Sequence, residues 1–172
     1  KEGRFEPREV KVGARSEELP DRISGLLTRL KEAEREVATL RQAQLLAGAS
    51  ALLAGATDVD GVRLLVHDLG EVSGADDVRT LALDLRDRLG SSAVVVTAGQ
   101  TNGRVAVVVA TAEHSRERGV KAGALVRTLA GALGGKGGGR DDVAQGGGTD
   151  AAALPGALAG VESAVRDMMG QA

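Results

Sequence analysis

The fifteen residues from Gly134 to Gly148 constrain the fold of this chain more than any other segment. Eight of them are glycine, and Lys136, Arg140 and Gln145 stand among these glycines. Glycine reaches backbone conformations with positive φ and lets another group approach the main chain closely, at a cost in conformational entropy. Backbone N–H groups beside a cation suit phosphate oxygens. The segment is therefore predicted to be a glycine-rich loop that binds an anion.

The scarcity of aromatic residues decides what can fill the core. Phe5 is the only aromatic residue in a chain of 172 residues, of which 42% are hydrophobic. One or two domains with a core of Val, Leu, Ile and Ala are therefore expected. Binding of nucleic acid by stacking bases on aromatic rings is close to excluded. The absence of cysteine also rules out disulfides and thiolate zinc sites.

Nothing in the sequence has the pattern of a targeting or membrane segment. Without disulfides, a signal peptide or a long apolar run, the composition favours a cytoplasmic protein with no membrane partner. The chain begins with Lys1 and not with Met. We therefore expect it to be a piece of a longer protein.

The net charge of −2 conceals an uneven distribution. Residues 104–140 contain seven Arg and Lys against two Glu, whereas residues 42–103 contain four Arg against eight acidic residues. Residues 141–172 are also acidic, with one Arg against five acidic residues. Local charge decides where a polyanion binds. The basic block leads directly into the glycine-rich segment and indicates a polyanionic ligand there, with a solvated basic helix face as the alternative.

The first 57 residues are expected to form mainly one long helix. Residues 1–15 lack periodicity and are interpreted as a linker or the tail of a preceding domain. Ser16, followed by two Glu and a Pro, has the residues of a helix start. Across residues 16–57 a coiled-coil-like heptad seam recurs at spacings of four and three, through Leu19, Ile23, Leu26, Leu30, Ala33, Val37, Leu40, Gln44 and Ala47. The seam needs a partner, which could be a second helix, another copy or the next domain.

Residues 58–172 are expected to form a small mixed-sheet α/β domain. Three strands are predicted, at 62–66, 93–97 and 105–110. The last two should pair as an antiparallel hairpin around Asn102-Gly103. Three helices are predicted, at 75–89, at 120–133 and from Leu154 onward. The strands are apolar almost throughout, so both faces of the sheet should be covered.

Common phosphate-binding and catalytic motifs do not fit this chain. The residues after Lys136 lack the Ser or Thr that would hold magnesium in a nucleotide-hydrolase loop, and the segment follows a helix where that loop follows a strand. No dinucleotide-binding glycine fingerprint lies between a strand and a helix. His67-Asp68 matches half of a metal-dependent phosphohydrolase pair, but a structural histidine is the simpler interpretation. No catalytic or metal-ligating residue is therefore assigned, and Asp141-Asp142 is expected to orient the neighbouring arginine.

The glycine-rich segment resembles a family signature. The run Gly-Gly-Lys-Gly-Gly-Gly-Arg-x-x-x-Ala-Gln-Gly-Gly-Gly-Thr-Asp, from Gly134 to Asp150, is similar to the signature of the DHH-associated domain in the form found at the C-terminus of alanyl-tRNA synthetases. Arg140 stands where the related phosphodiesterases usually have histidine. With Leu154-Pro155 and the Glu-Glu-Leu-Pro-x-Arg-Ile helix start, the resemblance extends over residues 10–172.

The resemblance implies a C-terminal module, called C-Ala, of an alanyl-tRNA synthetase. In that family the module binds the elbow of tRNA(Ala), where the D and T loops meet, and helps bring one tRNA to both the aminoacylation and the editing sites. Its helical part mediates dimerisation in some members, which leaves a homodimer through the heptad seam open. The ATP, magnesium and zinc of the parent belong to other domains, so this fragment is expected to be non-catalytic and to hold no cofactor.

The RNA-binding residues are predicted from the basic block and the signature together. Lys136 and Arg140 are expected to contact phosphates, while the glycine N–H groups let ribose or base edges approach. Arg116 and Arg118 would widen the positive surface. The predicted RNA-binding residues are Lys121, Arg127, Lys136, Gly137, Gly138, Gly139, Arg140, Gln145, Gly146, Gly147 and Gly148.

Two other functions stay open at this point. A DHH-type phosphodiesterase would use such a domain to hold a nucleotide, but its Asp-His-His motif is absent from this sequence. A purely structural module would dimerise the parent through the heptad seam. A dimer that ignores tRNA would favour this second alternative.

Overall fold

The computed structural model describes residues 19–170, and its first element is the long helix α1 (Leu19–Leu53). The predicted linker over 1–15 and the helix-start residue Ser16 lie outside the described residues. The chain divides into two compact units, and the division falls within α1, after Ala43. The coiled-coil pairing of α1 stays a prediction.

The second unit contains one mixed sheet and, after α1, five helices among its described residues. The strands are β1 (Thr57–Val59), β2 (Val62–Glu71), β3 (Ala93–Thr101), β4 (Arg104–Thr111), β5 (Lys136–Gly139) and β6 (Val143–Gly148). The helices are α2 (Ala75–Leu89), α3 (Glu113–Glu117), α4 (Ala122–Ala132), α5 (Leu154–Ala159) and α6 (Val161–Met169). The strand order is β1-β2-β3-β4-β6-β5; β2 and β3 are parallel, and the other neighbouring pairs are antiparallel. The predicted mixed α/β class is confirmed.

Helices cover both faces of the sheet, whose apolar strands predicted that both would be covered. Side chains of one face, such as Val94, pack with Leu125 of α4 and with residues of α5 and α6. Side chains of the other face, such as Val95, pack with Leu81 of α2. All four of these side chains are buried. Alternate residues of a strand point to opposite faces, so one β-branched run supplies both cores.

The hairpin of β3 and β4 is confirmed, and its turn lies at Asn102 and Gly103. Their φ angles are 49° and 73°, the left-handed pair that a two-residue hairpin turn requires. The strands run closer to the turn than predicted, because Thr101 still pairs with Arg104. This extension places Arg104 within the sheet.

The prediction of a glycine-rich loop is wrong for most of the segment from Gly134 to Gly148. β5 and β6 instead form an antiparallel hairpin at the edge of the sheet, joined by residues 140–142. Gly134, with φ 68°, terminates α4: its N–H donates to Gly131 O at 3.1 Å, and the N–H of Gly135 donates to Ala130 O at 2.8 Å. Glycine has no side chain to alternate between faces, so periodicity could not reveal these strands.

Candidate nucleic-acid interface

Two glycines of the edge hairpin let α4 pack directly on the sheet. Gly137 lies opposite Gly146 in the register of β5 and β6. A Cβ added at Gly137 would lie 3.2 Å from the Cβ of Ala130 in α4, and one added at Gly146 would lie 3.1 Å from the same atom. Because a side chain at either position would press the helix off the sheet, packing alone accounts for both glycines.

Other glycines of this segment are enclosed by the main chain. A Cβ at Gly139 would lie 2.6 Å from the Cα of Ala144. Cβ atoms at Gly135, Gly147 and Gly148 would collide with backbone carbonyl oxygens. The glycine signature therefore follows largely from the close approach of neighbouring backbones, a use of glycine that needs no ligand.

The N–H groups of β6 are used within the sheet. β6 lies between β4 and β5 and pairs with both. The N–H groups of an inner antiparallel strand point alternately to its two neighbours. Those of Gly146, Gly147 and Gly148 therefore donate to β4 or β5, and an anion-binding loop built from them does not form in this structure.

β5 is an edge strand, so half of its N–H groups point outward. The N–H of Arg140 donates to Val143 O at 3.0 Å. Successive N–H groups along an antiparallel strand point alternately toward the partner strand and away from it. Because the N–H of Arg140 points toward β6, the N–H groups of Gly139 and Gly137 face away from it. These two glycines are the ones whose N–H groups could still meet a ligand.

The sheet surface beside α2 is open at Gly138 and Gln145. The two residues lie opposite each other in register, and both are exposed. A Cβ at Gly138 would meet no atom within 4 Å. Arg79 of α2 donates from Nη1 to Gln145 Oε1 at 3.3 Å. The structure thus places an amide and a guanidinium beside a flat stretch of backbone.

A groove of about 450 Å³ lies near the β3–β4 turn and the start of β5. It is lined by Arg104 and Lys136, by Thr101 and Thr149, and by glycines that include Gly147. None of its lining residues is acidic. Within residues 19–170, no carboxylate lies at ion-pair distance from either cation. The groove is therefore positively charged and suited to an anion.

A second groove, of about 490 Å³, has a mixed lining. Arg86 and Arg116 lie there against three carboxylates, those of Asp87, Glu113 and Asp142. Acidic side chains repel phosphate, so this groove favours a polyanion much less than the first.

Arg140 is held by a carboxylate of its own turn. Its Nε and Nη2 donate to Oδ1 and Oδ2 of Asp142 at 3.1 and 3.0 Å. Burial would raise the pKa of Asp142, but the hydrogen bond and the charge of Arg140, with a backbone hydrogen bond at Val143, hold that pKa below its ordinary value. The carboxylate therefore stays ionised and offsets the Arg140 charge, although that side chain is 84% exposed.

The other predicted cations also have partners. Lys121 Nζ lies 3.6 Å from Asp141 Oδ2, and Arg127 Nε donates to Gly123 O at 2.8 Å. Of the four cations predicted to bind RNA, Lys136 is the one with no partner among the described residues. RNA contact by any of the predicted residues stays a prediction.

His67 and Asp68 do not form part of a metal cluster. Among residues 19–170, no group of three or more His, Cys, Asp or Glu is placed to hold a metal ion. The Asp68 carboxylate instead accepts a hydrogen bond from the N–H of Gly70 at 2.9 Å, which supports the local bend of β2.

None of the described helices is both long enough and apolar enough to cross a membrane.

The fold and this surface define a small α/β domain with a basic groove beside a glycine-rich edge hairpin. The family model of the DHHA1 domain matches residues 61–167, and the chain belongs to the DHHA1 domain family.

Its relatives include alanine–tRNA ligases. The chain is 56% identical over 156 residues to the enzyme of Kineococcus radiotolerans and 58% identical over 148 residues to that of an Arthrobacter species. These alignments cover 90% and 86% of this chain but only 17% of the length of either relative. The C-Ala domain of Aquifex aeolicus alanyl-tRNA synthetase matches with a TM-score of 0.58 at 29% identity, over 64% of this chain and 96% of that domain. The resemblance stated from the signature is confirmed.

The sequence did not single out three residues of the basic groove. Arg104 was counted in the basic block and Thr149 belongs to the family signature, but neither of them, nor Thr101, was assigned to the interface. The Asn102-Gly103 turn was the available signal, because a two-residue hairpin places residues 101 and 104 opposite each other. The position of β6 beside β4 had no comparable signal in the sequence.

Proposed function

We propose that this chain binds the elbow of tRNA as the C-terminal C-Ala module of an alanine–tRNA ligase. The observation that carries the proposal is the acid-free groove of Arg104 and Lys136, on a domain that matches a known C-Ala domain. A phosphate backbone supplies most of the affinity of a nucleic acid for such a surface.

The lack of aromatic residues agrees with a structured RNA ligand. Single-stranded RNA is commonly held by bases stacked on aromatic rings, and this chain has only Phe5 to offer. Folded RNA is recognised through its shape, its phosphates and its 2′-OH groups. The open surface at Gly138 and Gln145 supplies an amide and a flat backbone for such contacts.

The role within the parent is proposed from the family. In this proposal the module holds the elbow while one tRNA reaches the aminoacylation and the editing sites in turn. The parent is a cytoplasmic enzyme that uses ATP, magnesium and zinc in its other domains, and the present chain contributes binding and no catalysis. Elbow recognition tolerates sequence differences, so selection of tRNA(Ala) rests on other domains of the parent.

The heptad seam of α1 is proposed to dimerise the parent. Ile23, Leu26, Leu30, Val37 and Leu40 lie at heptad positions and are 44% to 58% exposed. Large apolar side chains exposed along one helical stripe favour burial against a matching stripe.

Footprinting of tRNA(Ala) by this chain tests the proposal. We expect protection from cleavage at the D and T loops and none at the acceptor stem. A titration with elbow-disrupted tRNA, in which the D–T loop contact is mutated, serves as the matched control and should show weaker binding. Protection confined to the acceptor stem would contradict elbow binding, and turnover of a dinucleotide with manganese would favour a phosphodiesterase instead.

A further inference from the structure

The two cations of the basic groove lie on the same face of the sheet. Ala106, Gly147 and Lys136 are neighbours in register across β4, β6 and β5. Arg104 lies two residues before Ala106, and residues two apart on a strand share a face. Two strand spacings of about 4.8 Å and two residues of about 3.4 Å place the Cα atoms of Arg104 and Lys136 about 12 Å apart.

Glycines make up much of the groove lining between the two cations. Gly147 lies between Ala106 and Lys136 in the register, and a Cβ there would collide with the carbonyl oxygen of Val105. Apart from the two cations, the residues that line the groove have short side chains or none, so the long Arg and Lys side chains can both reach a group that rests over Gly147. The hydroxyls of Thr101 and Thr149 add two donors to the lining.

We propose that Arg104 and Lys136 together clamp one phosphate of the RNA backbone over Gly147. The inference rests on the proposed RNA-binding function and names the residue pair that holds the phosphate. The clamp thus pairs Lys136 with Arg104, a residue that the sequence did not assign to the interface. Arg140 belongs to the opposite end of β5, where Asp142 engages it and a nearby groove contains three carboxylates.

Salt titrations of tRNA binding test the clamp. The variants are Arg104→Gln, Lys136→Gln and the double substitution, all at exposed positions. Loss of one phosphate contact lowers the slope of log K against log salt by about 0.7–0.9, which weakens binding about four- to fivefold at 0.15 M salt. Each single variant leaves one cation on the phosphate and should show part of this loss. The double variant should show the loss of one phosphate contact and not of two, because both side chains hold the same phosphate.

Arg63→Gln is the matched control. Arg63 is exposed on β2, at the end of the sheet away from the groove, and its loss removes the same charge. We expect it to bind tRNA like the parent chain. An equal loss from Arg63→Gln, an Arg104→Gln variant that binds like the parent, or a double variant with the slope change of two phosphate contacts would each overturn the clamp.

A second measurement separates the clamp from the proposed function. Inorganic pyrophosphate added to the ¹⁵N-labelled chain should shift the amide signals of Lys136, Gly147 and Thr149, and the double variant should abolish these shifts. Saturable shifts without tRNA binding would support the groove as an anion site while overturning the proposed function. If both substitutions leave the affinity for tRNA unchanged and pyrophosphate causes no amide shifts, the clamp is overturned but the proposed function is not.

Discussion

Gly137 and Gly146 face each other across the edge hairpin, and both lie directly against Ala130 of α4. This contact links the glycine signature to the fold, because the helix can approach the strands only where neither strand carries a side chain. Gly138 lies between Gly137 and Gly139 on the same strand but has open space above it. The same run of glycines therefore contains enclosed and open positions.

Gly146→Ala should destabilise the chain, whereas Gly138→Ala should not. The new methyl group at 146 would lie 2.7 Å from the Cα of Gly137, so main chain must move. Overpacking of this kind costs about 1–3 kcal/mol in the free energy of unfolding. Chemical denaturation of the two variants measures the difference. Equal stability of both would show that the hairpin accommodates a side chain at 146.

The sequence predicted the elements that alternate or repeat apolar residues. α2 was predicted with its observed bounds, and the β3–β4 hairpin followed from two β-branched runs and one turn signal. These signals are local, and each one depends on side chains that face a core.

The glycine-rich strands could not be predicted in this way. A strand of four residues with three glycines has no hydrophobic pattern, and strand propensity disfavours glycine. The two strands depend on distant residues that they contact: Ala130 for β5 and β6, and Val105 for β6. Because β5 was not predicted, Lys136 and Arg140 were interpreted as parts of one loop site. The structure places them at opposite ends of β5.

Asp142→Asn should strengthen tRNA binding if Arg140 contacts phosphate. The substitution removes the carboxylate that pairs with Arg140 and leaves its guanidinium free for a ligand. Surface pairs of this kind contribute about 0.2–1 kcal/mol, which corresponds to at most about fivefold in affinity. Fluorescence anisotropy with labelled tRNA measures the change. Asp60→Asn is the control, because it makes the same change in net charge elsewhere while Arg166, the partner of Asp60, stays paired with Glu162. Equal gains from both variants would show that only net charge matters.

The Arg140–Asp142 pair should contribute stability that depends on pH. Because the folded pKa of Asp142 is depressed, the contribution is fully present above the unfolded pKa of about 3.9 and is lost as pH falls through the folded value. Unfolding of the parent and of Arg140→Gln, compared from pH 6 downward, should show a difference of under about 1 kcal/mol that disappears in acid. A difference that grows in acid would contradict this assignment.

Leu30→Glu should convert a dimer of this chain to a monomer. Leu30 lies on the heptad seam and is 55% exposed, so in a parallel or antiparallel pair it would be buried against the second copy. Removing that burial from both copies costs about 3–6 kcal/mol of association free energy. Thr28→Glu is the matched control, since Thr28 lies about 200° around the helix from Leu30. Light scattering should give a dimer for the parent and for Thr28→Glu and a monomer for Leu30→Glu, with tRNA protection at the elbow retained. A parent that is monomeric at every concentration would reject the seam as a dimer interface, and equal loss in both variants would place the interface elsewhere.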